Sequence, residues 1–283
     1  MFFCGGGMMQ SIHLNHLQIR RNALALRSLP ECISLCKKAG FEYFDYLPDD
    51  LSTASADREI FDSLGVKVIQ SHCPFWRCEK DGLSKFRQIA PEAVKSAAIL
   101  GAEFFVIHAD EYRIDPDMPF DHVVKCSREY LAPVIDLCGE YGMKPAIENL
   151  FEEKDRNART RFCSQVEDVI AVIESFPGTG IGCCWDSGHH NVSFGKELFL
   201  EKLEMLAPYI ICTHLHDNFQ TRDTHNPAFA GSVPWEDVMA VLKKHQYNGP
   251  LNWEFAHGVF PDEVYEAYLN LIKVSGNYLS TLL

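Results

Sequence analysis

Apolar positions along the chain recur with two alternating periods. Pro30 to Ala39 places them at helical spacing, stops at Gly40, and feeds the short apolar run Phe41–Leu47, which reads as a strand. The unit then repeats. A helix near Ala56–Leu64 ends at Gly65 before the strand Val66–His72. A helix over Leu83–Leu100 ends at Gly101 before Glu103–His108, and one over Phe120–Tyr141 ends at Gly142 before Met143–Glu148. A helix over Cys163–Phe176 leads to the run Ile181–Trp185, which closes abruptly on Asp186. Leu198–Leu206 leads to Tyr209–His216, and Trp235–His245 leads to Pro250–Glu254. A last helix starts at Asp262. Upstream, Gln10 to Leu17 is the candidate first strand, with poor alternation.

A glycine just past a helix marks its end, because the left-handed conformation that closes the last turn suits a residue without Cβ. One helix and one strand per ~30–40 residues is the rhythm of βαβ units, which demand a parallel sheet. Eight such units predict an α/β fold, a single (β/α)8 TIM barrel spanning 1–283. A doubly wound open sheet is the alternative. It calls for a glycine-rich turn after its first strand, whereas Gly5-Gly6-Gly7 precedes every strand here.

The remaining composition narrows the setting. At 283 residues and 47% hydrophobic, the chain can bury a sizeable core. No apolar run reaches the ~18 residues of a membrane span. Residues 1–9 lack a basic flank and read as a mobile leader rather than a secretory signal. Eleven cysteines, scattered through apolar and helical stretches, fit reduced thiols in a cytoplasm rather than a disulfide framework. A formal net charge of −13 disfavours nucleic acid as a partner.

The polar residues closing the strands are His72, His108, Glu148, Asp186, His214 and Glu254, with His189 three residues past Asp186 across a Ser-Gly turn. In a parallel barrel all these ends share one face, where the βα loops build the active site. Carboxylates crowded together need a cation to offset their repulsion, so a divalent-metal site follows. A single histidine at a strand end is ordinarily a hydrogen-bonded structural residue. A buried glutamate is costlier, and Glu148 and Glu254 each follow an apolar run, which favours function for both. Asp223 and His225, two apart in an extended loop, can point the same way. Phe75, Trp76, Trp185, Phe219 and Phe229 are candidate rim aromatics. Arg113, Arg156, Arg159, Arg161 and Arg222 are candidate phosphate partners.

Taken in order, Ser71-His72-Cys73-Pro74, Val106-Ile107-His108, Ala146-Ile147-Glu148-Asn149, Trp185-Asp186-Ser187-Gly188-His189, His214-Leu215-His216-Asp217, Asp223-Thr224-His225 with Pro227 and Gly231, and Asn252-Trp253-Glu254 resemble the xylose-isomerase-like barrel superfamily. That group holds sugar phosphate isomerases and epimerases and the endonuclease IV nucleases. The likeness runs from the second strand to the eighth. In its epimerase-like members, the residues matching Glu148, Asp186, His214 and Glu254 hold one divalent cation (Mn, Zn or Mg), and the two glutamates serve as acid and base. His189 matches a substrate-contacting histidine. The nuclease branch holds three zinc ions with a set that here comprises His72, His108, Glu148, Asp186, His189, His214, Asp223, His225 and Glu254.

The resemblance therefore implies a metal-dependent isomerase or epimerase of a small-molecule sugar or sugar phosphate, acting through an enediolate. The alternative is a trinuclear-zinc phosphodiesterase on abasic DNA. The stretch Leu47-Pro48-Asp49-Asp50-Leu51 stands where the nucleases carry basic residues, and Asn226 to Gly231 is closer to the sugar group. A third reading, a non-catalytic sugar-binding barrel, fits poorly with four intact ligand positions. Members of the group often pair, so a homo-oligomer is compatible with the sequence.

Overall fold

The structure, a computed structural model, describes residues 27–76, 81–110, 118–151, 161–255 and 260–283, and the backbone of 16–18. Among the described residues, strands and helices alternate: β1 (His16–Gln18), α1 (Leu29–Lys38), β2 (Tyr43–Asp45), α2 (Ala54–Ser63), β3 (Lys67–His72), α3 (Gly82–Leu100), β4 (Phe104–Ile107), α4 (Phe120–Glu140), β5 (Lys144–Glu148), α5 (Val166–Glu174), β6 (Gly182–Asp186), α6 (Ser187–Leu206), β7 (Ile210–His214), α7 (Trp235–Lys244), β8 (Asn252–Trp253) and α8 (Asp262–Ser280). The strands pair in parallel in the order β7-β6-β5-β4-β3-β2-β1-β8. The ring closes at Leu215, just past β7. Its N–H donates to the Asn252 carbonyl at 2.8 Å, and the Glu254 N–H donates to the Leu215 carbonyl at 3.0 Å. This is the expected (β/α)8 barrel, and the closure excludes the open sheet.

Side chains alternate across each strand, so one strand feeds two cores. Facing the helices are Phe105 and Ile107 of β4, Ile147 of β5, and Cys183 and Trp185 of β6, packed with Phe61, Phe86, Phe199, Trp235 and Tyr265. Inside the barrel, Ile69, Phe104, Val106, Ala146, Cys184 and Cys212 form a second, smaller cluster. Adding two to Val106, Ala146, Cys184 and Cys212 gives His108, Glu148, Asp186 and His214. The alternation that puts small apolar residues inside thus also aims these four polar groups inward, one layer higher.

Local differences from the sequence reading have identifiable causes. Asp186, Ser187, Gly188 and His189 do not form a turn before a later helix. Helix α6 starts at Ser187, because an Asp186 carboxylate oxygen accepts the His189 N–H at 2.7 Å and caps it. The polar run Ser187–Asn191 shows no helical periodicity because it is buried on every side. The pattern re-emerges only after a backbone break at Gly195 (φ 57°, ψ −165°). Helix α5 is shorter than expected, since Cys163 sits at φ 65° and its N–H donates to Asp168 ahead of the first turn. The expected leader 1–9 and the segment 10–15 lie outside the described residues. The nine described cysteines are all free thiols. No described helix is long and apolar enough to cross a membrane.

Candidate metal centre

Four side chains rising from four strand ends meet at the mouth of the barrel: Glu148 from β5, Asp186 from β6, His214 from β7 and Glu254 just past β8. Each offers a ligand atom within 4.8 Å of the others, and all four are buried. Glu148 lies among imidazoles. Its Oε2 is 2.8 Å from His72 Nε2 and 3.1 Å from His108 Nε2, and its Oε1 is 3.3 Å from His189 Nδ1 and 3.5 Å from His214 Nδ1. His214 lies between carboxylates, with Nδ1 2.9 Å from Glu254 Oε2 and Nε2 3.0 Å from Asp45 Oδ2.

A second group adjoins the first through Asp186. His216 Nε2 is 3.0 Å from Asp186 and 3.5 Å from Asp223 Oδ1. Its ring stacks on His225 at 4.0 Å, and His225 Nε2 meets Asp223 Oδ2 at 2.8 Å. Close packing fixes this arrangement. A Cβ on Gly188 would lie 1.8 Å from His216 Cε1, so only glycine lets the first turn of α6 pass the imidazole. Asn149 holds the end of β6 from both sides: its Oδ1 accepts the Asp186 N–H, and its Nδ2 donates to the Asp186 carbonyl. The Asn149 carbonyl accepts from His189 Nδ1 at 2.9 Å.

Burial opposes every charge here, and the partners decide which survive. Burial alone would raise the Glu148 carboxyl, but His214 and His108 hold it well below the usual carboxylate range. Asp186, Asp45 and Asp223 are likewise held low against burial by the imidazoles they face. Burial would make His189 and His214 weaker bases, yet the surrounding carboxylates raise them to about 9 and about 10. For His108 burial prevails, taking it down to about 4. Protons on His189 and His214 thus balance the carboxylates in the metal-free protein.

The sign of the pH dependence follows from these shifts. Raised histidines contribute stability that is complete below their ordinary value near 6.5 and fades as pH climbs through 9 and 10. Metal-free protein is expected to lose on the order of 5 kcal/mol between pH 6.5 and 9, about half from each histidine, read by urea unfolding after chelation. A divalent cation held by Glu148, Asp186, His214 and Glu254 would replace the His214 proton and should flatten part of that loss; equal loss with zinc bound would contradict this electrostatic account.

The donor set suits such a cation. Three carboxylates and one imidazole are mostly hard ligands, fitting Mn²⁺, Mg²⁺ or Zn²⁺, and all sit where uncompensated like charge would be costly.

All nine residues singled out in the sequence converge on this mouth. His72 and His108 join through Glu148, His189 through Asp186, and Asp223 and His225 through His216. Two participants escaped the sequence reading, Asp45 and His216. His216 lies two residues after His214, at the same inward parity. Asp45 ends β2, whereas the apolar run continues to Leu47 and so places it in a strand interior.

Of the rim aromatics, Phe75 stacks on His108 at 4.2 Å. Trp185 is a correction: it points away from the mouth, fully buried against His190 and Phe199, because it has the outward parity of β6. Phe229 turns toward Trp235 and Tyr278, and Phe219 is exposed. Arg161 pairs with Asp110, and Arg222 is exposed. Arg113, Arg156 and Arg159 lie outside the described residues.

Comparison with known proteins places this geometry. The sequence model described as xylose isomerase-like TIM barrel matches residues 33–273. An uncharacterized protein of Methanocaldococcus jannaschii is 24% identical over 226 residues, covering 76% of this chain and 74% of that protein. Among solved structures, an L-ribulose 3-epimerase superposes with a TM-score of 0.73 at 14% identity, covering 95% of each chain. The IOLI protein, solved with a binding zinc atom, superposes with a TM-score of 0.71 at 15% identity, covering 94% of this chain and 96% of that one.

Proposed function

The chain belongs to the xylose isomerase-like TIM barrel family, and from that premise we propose that it is a divalent-metal-dependent isomerase or epimerase of a sugar or sugar phosphate. One observation carries the reading: the buried group of Glu148, Asp186, His214 and Glu254, with ligand atoms within 4.8 Å of one another at the mouth of the barrel. The likeness to an L-ribulose 3-epimerase supports the sugar chemistry, and the zinc of the IOLI protein supports the cation.

When bound, a divalent cation supplies Lewis acidity beside a substrate carbonyl. The chain's own residues do the rest. One of Glu148 and Glu254 removes the proton α to the carbonyl, leaving an enediolate. The other returns a proton to the opposite face for epimerisation, or to the adjacent carbon for isomerisation. The sugar's handedness decides which glutamate takes which part. His72 and His108, both bonded to Glu148 Oε2, hold that carboxylate in place and offer a path for its proton. Phe75, stacked on His108 and partly exposed, forms an apolar wall that keeps water off the reacting carbon. The free thiols suit a cytoplasmic setting.

The donors beyond the first four favour a second reading, a trinuclear-zinc phosphodiesterase on abasic DNA. The groups His72–Glu148–His214 and His216–Asp223–His225 each bring three ligand atoms together. Against it, the loop after β2 is acidic, and Asp50 is spent capping the turn 51–53. Elemental mass spectrometry on protein purified without added metal separates the two readings. One equivalent of Mn or Zn per chain is expected; three of zinc would overturn the isomerase in favour of the nuclease.

A further inference from the structure

Asp45 belongs to neither ligand set that the family resemblance implies, yet it lies directly behind one of the proposed ligands. Its side chain is buried, and Oδ2 accepts hydrogen bonds from three other strands: Gln70 Nε2 of β3 at 3.0 Å, His214 Nε2 of β7 at 3.0 Å and Asn252 Nδ2 of β8 at 3.3 Å. We propose that Asp45 is a positioning residue that fixes the tautomer and ring orientation of His214, and through them the affinity of the site for its cation. The inference rests on the metal-dependent reading above.

An ionised carboxylate can only accept, so the His214 nitrogen facing it must carry a hydrogen. That fixes the proton on Nε2 and assigns the other ring nitrogen to the cation. Nδ1 is the atom that faces the remaining donors, 2.9 Å from Glu254 Oε2 and 3.5 Å from Glu148 Oε1. The bonds from Gln70 and Asn252 hold Asp45 itself, so the ring is locked from across the barrel rather than by its own strand. Gln70 also donates to the Thr213 carbonyl at 3.3 Å, tying the support to the residue before His214. A metal-bound histidine whose second nitrogen donates to a carboxylate is a stronger and better oriented ligand, and losing that partner typically costs about 10–100-fold in metal affinity.

The test is zinc affinity by competition with a chromophoric chelator, on full-length wild type, Asp45→Ala and Asp45→Asn. Asp45→Ala should bind zinc about 10–100-fold more weakly. Asp45→Asn, which keeps an accepting oxygen, should recover most of that loss. A second measurement needs no variant: long-range ¹H–¹⁵N correlation on zinc-loaded wild type should show the His214 proton on Nε2. Folded Asp45→Ala with wild-type zinc affinity overturns the proposal. So does a His214 proton on Nδ1, which also decides the matter if Asp45→Ala does not fold. Equal loss in Asp45→Asn and Asp45→Ala, tracking equal loss of metal-free thermal stability, overturns it as well, since that is the mark of a merely structural residue. Wild type that binds no zinc, Mn²⁺ or Mg²⁺ would remove the metal-dependent reading and this inference with it; the other outcomes leave that reading standing.

Discussion

Replacing Glu148 by glutamine is expected to lower turnover by at least about 10³-fold, the scale of removing a general acid or base. The carboxylate is bonded to His72 and His108, approaches His189 and His214, and belongs to the group of four candidate ligands. Glutamine has nearly the same shape but neither the charge nor the ability to take and return a proton. Its amide NH₂ would also have to face an imidazole at one of two positions where a carboxylate oxygen now sits. Metal content, kcat and thermal stability measured together on Glu148→Gln check this. Near wild-type turnover in the variant would refute the assignment of Glu148.

Replacing Asp217 by alanine should cost about 3–5 kcal/mol of stability and release the loop that carries Asp223 and His225. Asp217 is buried and gathers four donors. Oδ1 accepts from the N–H groups of Asn218 and Val233, and Oδ2 accepts from the N–H of Phe229 and from Trp235 Nε1. Backbone bonds to Asn226 in both directions complete the fastening. Gly231 is part of the same packing, since a Cβ there would lie 2.2 Å from Asp217 Oδ1. Alanine leaves all four donors unsatisfied. Asparagine keeps one oxygen and turns an NH₂ on the other pair, so Asp217→Asn should fall between wild type and Asp217→Ala. Urea unfolding gives the energies, and hydrogen exchange over residues 219–233 reports the release. Wild-type stability in Asp217→Ala would show that water replaces the carboxylate without cost.

Asp217 also illustrates which parts of the molecule the sequence discloses. The barrel was legible because its signals are local: apolar periodicity, a glycine after a helix, a polar residue closing a strand. The inward aim of His108, Glu148, Asp186 and His214 follows from counting by two along strands whose small interior residues are themselves visible. What stayed hidden depends on contacts between distant segments. Asp217 reads as a charged residue in a polar stretch until Phe229, Val233 and Trp235 fold over it. Asp45 is a strand end only because β2 stops before Tyr46, although the apolar run continues to Leu47. Helix α6 lacked a pattern over Ser187–Asn191 because total burial erases the contrast between faces on which periodicity depends. Trp185 shows the reverse error, since nearness in sequence to Asp186 says nothing about parity.

The central claim is that this mouth removes the proton α to a ketose carbonyl, and solvent exchange tests that step without knowledge of the product. Cation-loaded protein would be incubated in D₂O with a panel of ketopentoses, ketohexoses and their phosphates, and deuterium at the carbon α to the carbonyl followed by NMR. At least one sugar is predicted to gain deuterium there, with wild type and not with Glu148→Gln. No exchange in any sugar, together with cleavage of an abasic DNA duplex by the same zinc-loaded protein, would contradict the account and transfer the site to phosphodiester chemistry.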